Sequence, residues 1–426
     1  MDNWSLSFGN VMDGRDRSLY IIILFSFLLL ITSCVDNPSY IKPLSYYSNL
    51  EQEIILPGTE MPLDEAKFQG ACWAMEISQY RSREMIDRLK FIYGGLDTLS
   101  YAVNRSFWEA VNALYPTEFI SEAKDYLMSR DMSENYKLTA MACQYLYHSD
   151  NGDSSMAFIH DYVSSSITTQ KEYDNYMNDP IFKPWVKHVF KHVDMPDYQA
   201  LFNLDLGNYP TIYVVFRENR DFPGIALLKN EKGEWVRSGD GIFYTRILGR
   251  SMSNLYGTIT NGNTPQGIYT LIGIDGSDNV FIGPTPTIIT GLPIEYSKSE
   301  FFHEDLTGEW EMDDYLDLLP DSWKEYIHFH EAWYAGKAGR SEIIMHGSTI
   351  LPELYENEPY YPLTPSLGCL THYEKWSKNG RLIKSDQQKM VDALMACSTQ
   401  QGFMVVVELN DEEKAVELED IRGFIK

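Results

Sequence analysis

The chain has 426 residues, which against roughly 150 per domain points to two or three domains. Hydrophobic residues make up 44% and charged residues 23%, globular proportions that exclude a disordered or fibrous chain. Acidic side chains outnumber basic ones 61 to 35 for a formal charge of −26, a field that repels phosphate backbones and excludes a general nucleic-acid binder.

At the N-terminus, Arg15 and Arg17 precede an unbroken apolar run from Leu19 to Leu30, followed by Ile31-Thr32-Ser33-Cys34. The run is too short to span a bilayer comfortably and suits the apolar core of a signal peptide. Small residues leading straight into a Cys resemble the lipobox of bacterial lipoproteins. That resemblance implies a signal peptide over 1–33, lipidation at Cys34, and a protein of the cell envelope held on a membrane by its lipid and facing the periplasm. Val35, next in the chain, leaves the choice of membrane open. Residues 34–63 begin rich in Pro, Ser, Asn and Tyr and read as a tether. The other four cysteines, Cys72, Cys143, Cys369 and Cys397, are too widely spaced for a disulfide framework. A thiol kept free in an oxidising compartment calls for a chemical use.

Residues 64–204 carry a helical period. Phe107, Val111 and Leu114 share one face; Phe119, Ala123, Tyr126 and Leu127 repeat it after Pro116-Thr117. Ser133 is the expected cap of a helix with Leu138, Met141, Ala142, Tyr145 and Leu146 on its apolar face. Residues 205–410 change period. Thr211 to Phe216, Ile225 to Leu228, Trp235-Val236, Ile242 to Leu248, Gly267 to Gly273, Val280 to Ile282, Glu342 to Met345 and Phe403 to Leu409 read as strands. A helix is expected from about Asp386 to Ala396. An acidic, aromatic insertion, Glu309 to Tyr334, reads as part helix, an acidic tail covers 411–426, and the acidic clusters Glu309 to Asp317 and Glu412 to Asp420 read as solvated faces. The fold class expected is α+β multidomain: an all-helical N-terminal domain, then a β-rich sandwich or barrel.

One constellation carries chemistry: His346-Gly347 after a strand, then Ser366-Leu367-Gly368-Cys369. A thiol is a nucleophile only as thiolate, so an imidazole must take its proton or hold the ion pair. A Gly before the Cys permits close approach of backbone and leaves amides for a developing oxyanion.

These residues resemble the signature of the L,D-transpeptidase (YkuD-like) family of peptidoglycan enzymes, a His-Gly followed at a distance by Ser-x-Gly-Cys. Asn263-Thr264-Pro265-Gln266-Gly267-Ile268-Tyr269-Thr270-Leu271 is similar to that family's Thr-Pro-x-Gly-x-Phe-x-Ile strand, and Gly402 to Val407 to its closing strand. The resemblance implies Cys369 as nucleophile and His346 as its base, with Gly368, Ser366 and Gly347 supporting the loop and oxyanion. It implies peptidoglycan tetrapeptide stems as substrate, for 3→3 crosslinking or trimming, with no cofactor or metal needed. Two departures stand out. Where the family carries Arg two places after the Cys, this chain has Thr371, then His372. The stretch from His346 to Cys369 is also longer than usual, holding Tyr360, Tyr361 and several Glu and Pro, an acidic aromatic wall expected over the cleft. Thr371, His372, Tyr360 and Tyr361 are therefore candidate substrate contacts. The second reading is a catalytically degenerate wall-binding module whose helical half docks a protein partner.

Two rival signals are weaker. Gln69-Gly70-Ala71-Cys72-Trp73-Ala74 faintly resembles papain-type cysteine proteases but lacks their Cys-Gly-Ser-Cys, and His188 and His192 lie in a segment that does not read as a strand. His328-Phe329-His330 would offer two imidazoles to zinc only on a strand, and its surroundings read as helical.

Overall fold

A computed structural model describes residues 50–149, 153–191, 193–239 and 241–425. The expected signal peptide, Cys34 and the first part of the tether lie outside these residues, as does His192.

Eight main helices form the first half: α1 Glu65–Ser78, α2 Arg83–Tyr93, α3 Tyr101–Leu114, α4 Ile120–Met128, α5 Tyr136–Ser149, α6 Asp153–Ser166, α7 Gln170–Asn178 and α8 Phe182–Phe190. Short polar side chains start them. Asp64 accepts from Lys67 N–H, Ser82 from Met85 N–H and Ser100 from Val103 N–H, each filling one donor the helix cannot satisfy itself. The expected cap at Ser133 is displaced: Ser133 lies in a short 3₁₀ turn, Met132–Glu134, and the Asn135 side chain accepts from Leu138 N–H at 3.1 Å instead. The packed fold also begins earlier than the expected tether allows. A helical segment, Glu51–Ile55 continuing through Leu56–Gly58, buries Leu50 and Ile55 in the same core as Phe68 and Trp108, because its apolar residues recur on one side.

The second half is a closed, mixed eight-stranded barrel. Its strands are β1 Thr211–Phe216, β2 Gly224–Lys229, β3 Tyr244–Leu248, β4 Gly267–Asp275, β5 Thr287–Gly291, β6 Met345–His346, β7 Leu370–His372 and β8 Gly402–Glu408. Around the barrel they run β1-β8-β4-β5-β6-β7-β3-β2, with β1/β8 and β6/β7 parallel and the other pairs antiparallel. Strands β1, β2 and β8 are unbroken apolar runs because both faces are covered. Ile212, Val214, Met404 and Val406 fill one core; the alternating Tyr213, Val215, Val405 and Val407 pack in another against Tyr198–Phe202 and the inserted helices. The segment at Tyr198–Phe202 thus belongs to the barrel.

Three further expectations are corrected. Val280–Ile282 forms a turn, and the strand lies later, at Thr287–Gly291. Glu342 stands at φ +57°, so the strand before the His starts only at Met345. The C-terminal stretch is no free acidic tail: Val416, Ile421 and Ile425 are buried against the barrel, and buried Arg217 pairs with Asp420 at 2.5 Å and Glu412 at 3.4 Å.

The halves share one core. Leu248, Met252, Leu255, Tyr256 and Ile259 after β3, and Ile350, Tyr355, Tyr360 and Leu363 after β6, join the helical cluster. Polar bonds fasten the same two loops: Asn261 Nδ2 donates to Glu109 at 3.0 Å, Lys137 Nζ to Thr260 at 2.8 Å, and Tyr355 OH to the Ile77 carbonyl at 3.1 Å.

Candidate functional site

Strands β6 and β7 are short and parallel, in register Met345↔Leu370 and His346↔Thr371, with Leu370 N–H bonded to the Ile344 carbonyl at 2.9 Å. Met345 and Leu370 fill the barrel interior. His346 pairs with Thr371, and Cys369 stands two residues before Thr371, just ahead of β7, so the alternation of an extended chain gives His346 and Cys369 the same side of the pair.

The imidazole is 5% exposed, and its Nδ1 is bonded to the Gly347 carbonyl oxygen. A carbonyl only accepts, so Nδ1 carries the proton and Nε2 keeps its lone pair. No hydrogen bond occupies Nε2 among the described residues. Burial pushes the imidazole down to about 4, against the pull of that carbonyl. Cys369 is part-buried, and its Sγ donates to the Glu342 carbonyl at 3.3 Å. Burial pushes the thiol up to about 11; the Ile344 amide and the Arg340 guanidinium pull it down, while Glu342 and Glu295 push further up. At neutral pH the resting pair is therefore thiol and neutral imidazole, with no bond between them. The ion pair expected from the residue types is not the resting state, because neither group is hydrated enough to hold charge alone.

Ser366 shapes the loop before the Cys. Its hydroxyl donates to the Cys369 carbonyl at 2.8 Å and accepts from Gly368 N–H at 3.2 Å. That second bond corrects one expectation: the Gly368 amide is committed within the loop and is not free for an oxyanion. Gly368 sits at φ +113°, and any Cβ there would strike Arg340 and the Gly262 carbonyl. Its own carbonyl accepts from Thr264 Oγ1 at 2.9 Å, tying the Thr-Pro segment to the nucleophile loop. Gly347 is required by a neighbour: a Cβ would overlap the carboxyl of Glu374. That carboxyl is buried, pushed up to about 7 chiefly by burial, and Ser385 donates to it at 2.6 Å.

The candidate substrate contacts separate. Thr371 is buried and donates to the Thr364 carbonyl at 2.7 Å. His372 is buried with both ring nitrogens used, by Thr245 at 2.8 Å and Gln387 at 2.7 Å. Tyr360 is buried under the Arg250 guanidinium, 5.0 Å from its ring centre. These three are structural, since no ligand reaches a buried and already bonded group. Tyr361 alone is exposed. The loop from His346 to Cys369 packs Tyr355 and Tyr360 into the core of the helical half, so these two form no wall over a cleft. Sequence reasoning missed Arg340 and Glu374: each lies outside the motif, and no local pattern marks a charge that becomes buried by tertiary packing.

A groove of about 690 Å³ lies between the α7–α8 turn and the barrel insertion, and neither His346 nor Cys369 lines it. Charges of both signs line it, Lys183, Lys298 and Lys337 with Asp179, Glu295, Glu309 and Glu311, beside Trp310 and Trp333. The Glu295 carboxylate accepts from Glu342 N–H at 2.8 Å, the residue whose carbonyl holds the thiol.

The four described cysteines are free thiols. Cys72 is fully buried and its thiol raised well above the usual range by burial, then by Glu76 and Glu109, which removes it as a nucleophile. His188 Nδ1 lies 3.2 Å from His328 Nδ1, and His330 Nε2 donates to the Lys324 carbonyl. Among the described residues no three His, Cys, Asp or Glu side chains gather to hold a metal ion. No protein-family model matches the chain, and neither the curated proteins nor the solved structures yield a match.

Proposed function

We propose that the barrel is a cysteine acyltransferase of the L,D-transpeptidase type, acting on peptidoglycan tetrapeptide stems from a lipid anchor at Cys34. The observation that carries this reading is the β6/β7 pair. It presents Cys369 and His346 on one side, with the imidazole fixed in the tautomer that leaves Nε2 as proton acceptor.

In this reading Sγ attacks the carbonyl between the third stem residue and the terminal D-residue. His346 Nε2 takes the thiol proton and returns it to the leaving amine. An amine on a second stem then resolves the thioester, giving a 3→3 crosslink; water in its place gives a carboxypeptidase. Both groups being neutral at rest suits a transfer that is concerted with attack.

The test is the mass of the intact protein after treatment with a carbapenem, an acyl-donor mimic for such enzymes, followed by incubation with defined muropeptides. One adduct on Cys369 and a new crosslinked product are expected; an unmodified protein would sink the enzymatic reading. It would favour the second one, a wall-binding module with a degenerate site, for which the thiol's bond to the Glu342 carbonyl speaks.

A further inference from the structure

Arg340 follows α9 (Glu331–Lys337), and only 6% of its surface is exposed. Its Nη1 donates to the carbonyls of Gly257 and Asn263, the latter at 2.9 Å, and its Nη2 to that of Gly262 at 2.9 Å. Carbonyls satisfy the N–H groups but bring no net charge. Among the described residues no carboxylate forms an ion pair with this guanidinium. Glu331 acts on it from a distance, but burial and then Glu408 push that carboxyl toward its neutral form. Glu408 is itself held by Arg220 at 2.7 Å. The Tyr269 hydroxyl, pushed well up by burial, is spent on the Pro265 carbonyl. A buried cation lacking a counter-charge is costly to keep.

The remaining acidic group within its influence is Cys369. The guanidinium occupies the space beside Gly368 that a side chain there would need. Glu342 and Glu295 both oppose the anion. We propose that Arg340 is the fixed counter-charge of the Cys369 thiolate, a positioning residue that props the nucleophile loop and favours the anion as His346 Nε2 takes the proton. This deepens the acyl-transfer reading, yet its test needs no turnover.

The full chain is alkylated with iodoacetamide at pH 8.5, and Cys369 and the part-buried Cys397 are followed separately by peptide mass spectrometry. In Arg340→Met, Cys369 is expected to react roughly tenfold more slowly, the effect of about one pKa unit, while Cys397 keeps its rate. Arg340→Lys, which keeps the charge, is expected to restore most of the rate. A Met variant as fast as wild type, or a Lys variant as slow as Met, overturns the proposal. Should Arg340→Met not fold, melting of Cys369→Asp against Cys369→Asn at pH 7 decides. A fixed anion beside an uncompensated cation should melt at or above the neutral isostere, and an Asp variant melting several degrees lower sinks the idea. Failure of carbapenem capture in wild type removes the enzyme reading alone and leaves both comparisons standing.

Discussion

The two halves of the molecule use cysteine in opposite ways. In the helical half Cys72 and Cys143 are sealed in the core; burial raises both thiols beyond chemical use, and the buried Glu76 and Glu109 push Cys72 further the same way. In the barrel Cys369 is also raised, but a carbonyl, an amide and a guanidinium stand around it. The contrast teaches that the residue type matters less than the polar groups in reach of it. The helical half spends its polar groups on caps and on fastening loops; the barrel leaves some unbalanced beside one thiol.

The largest expected effect tests whether that surround is chemical. His346→Ala should slow acylation of Cys369 by a carbapenem roughly 10²- to 10⁴-fold, the usual worth of a positioned base, with the fold kept. Cys143→Ala should leave capture untouched. A His346→Ala protein acylated at the wild-type rate would make the barrel's thiol no different in kind from those of the helices.

The next sharpens the contrast through pH. Burial holds His372 at about 4, below an ordinary imidazole near 6.5, so the unfolded chain binds a proton that the folded one refuses between those values. Stability should therefore fall as pH drops from about 6.5 to about 4, with His372 contributing on the order of 3 kcal/mol. Denaturant melts across that range should show a shallower decline in His372→Gln. An identical decline would mean the strand imidazole is not held neutral.

The smallest effect concerns the seam. Tyr355→Phe removes the hydroxyl bond to Ile77 and leaves a buried carbonyl short of one donor, which should cost about 1 kcal/mol in a urea melt. A loss near zero would mean that apolar packing alone joins the loop to the helices.

Much of this was legible in the chain. Apolar runs such as Thr211 to Phe216 announced strands, the i, i+4 faces of α3 and α4 announced helices, and the order of the His-Gly and Ser-x-Gly-Cys segments marked the site. What stayed hidden depends on distant partners. Nothing local in Phe403 to Val407 says that it pairs in parallel with β1 and closes a barrel. Tyr360 and His372 look like ligand contacts in sequence, because aromatic and polar side chains near a motif carry no mark of burial. Arg340 takes its meaning from carbonyls of the segment Gly257 to Asn263, far away along the chain.

The span joining His346 to Cys369 has one further consequence. Its ends carry His346 and Cys369, while its middle, Tyr355 and Tyr360, is sunk in the helical core. Cutting the protein near residue 205 would not yield an intact barrel. It would strip the cover from those tyrosines, slacken the span between His346 and Cys369, and free both ends to drift. The helices are in this sense the back wall of the site, and the barrel borrows its rigidity from them.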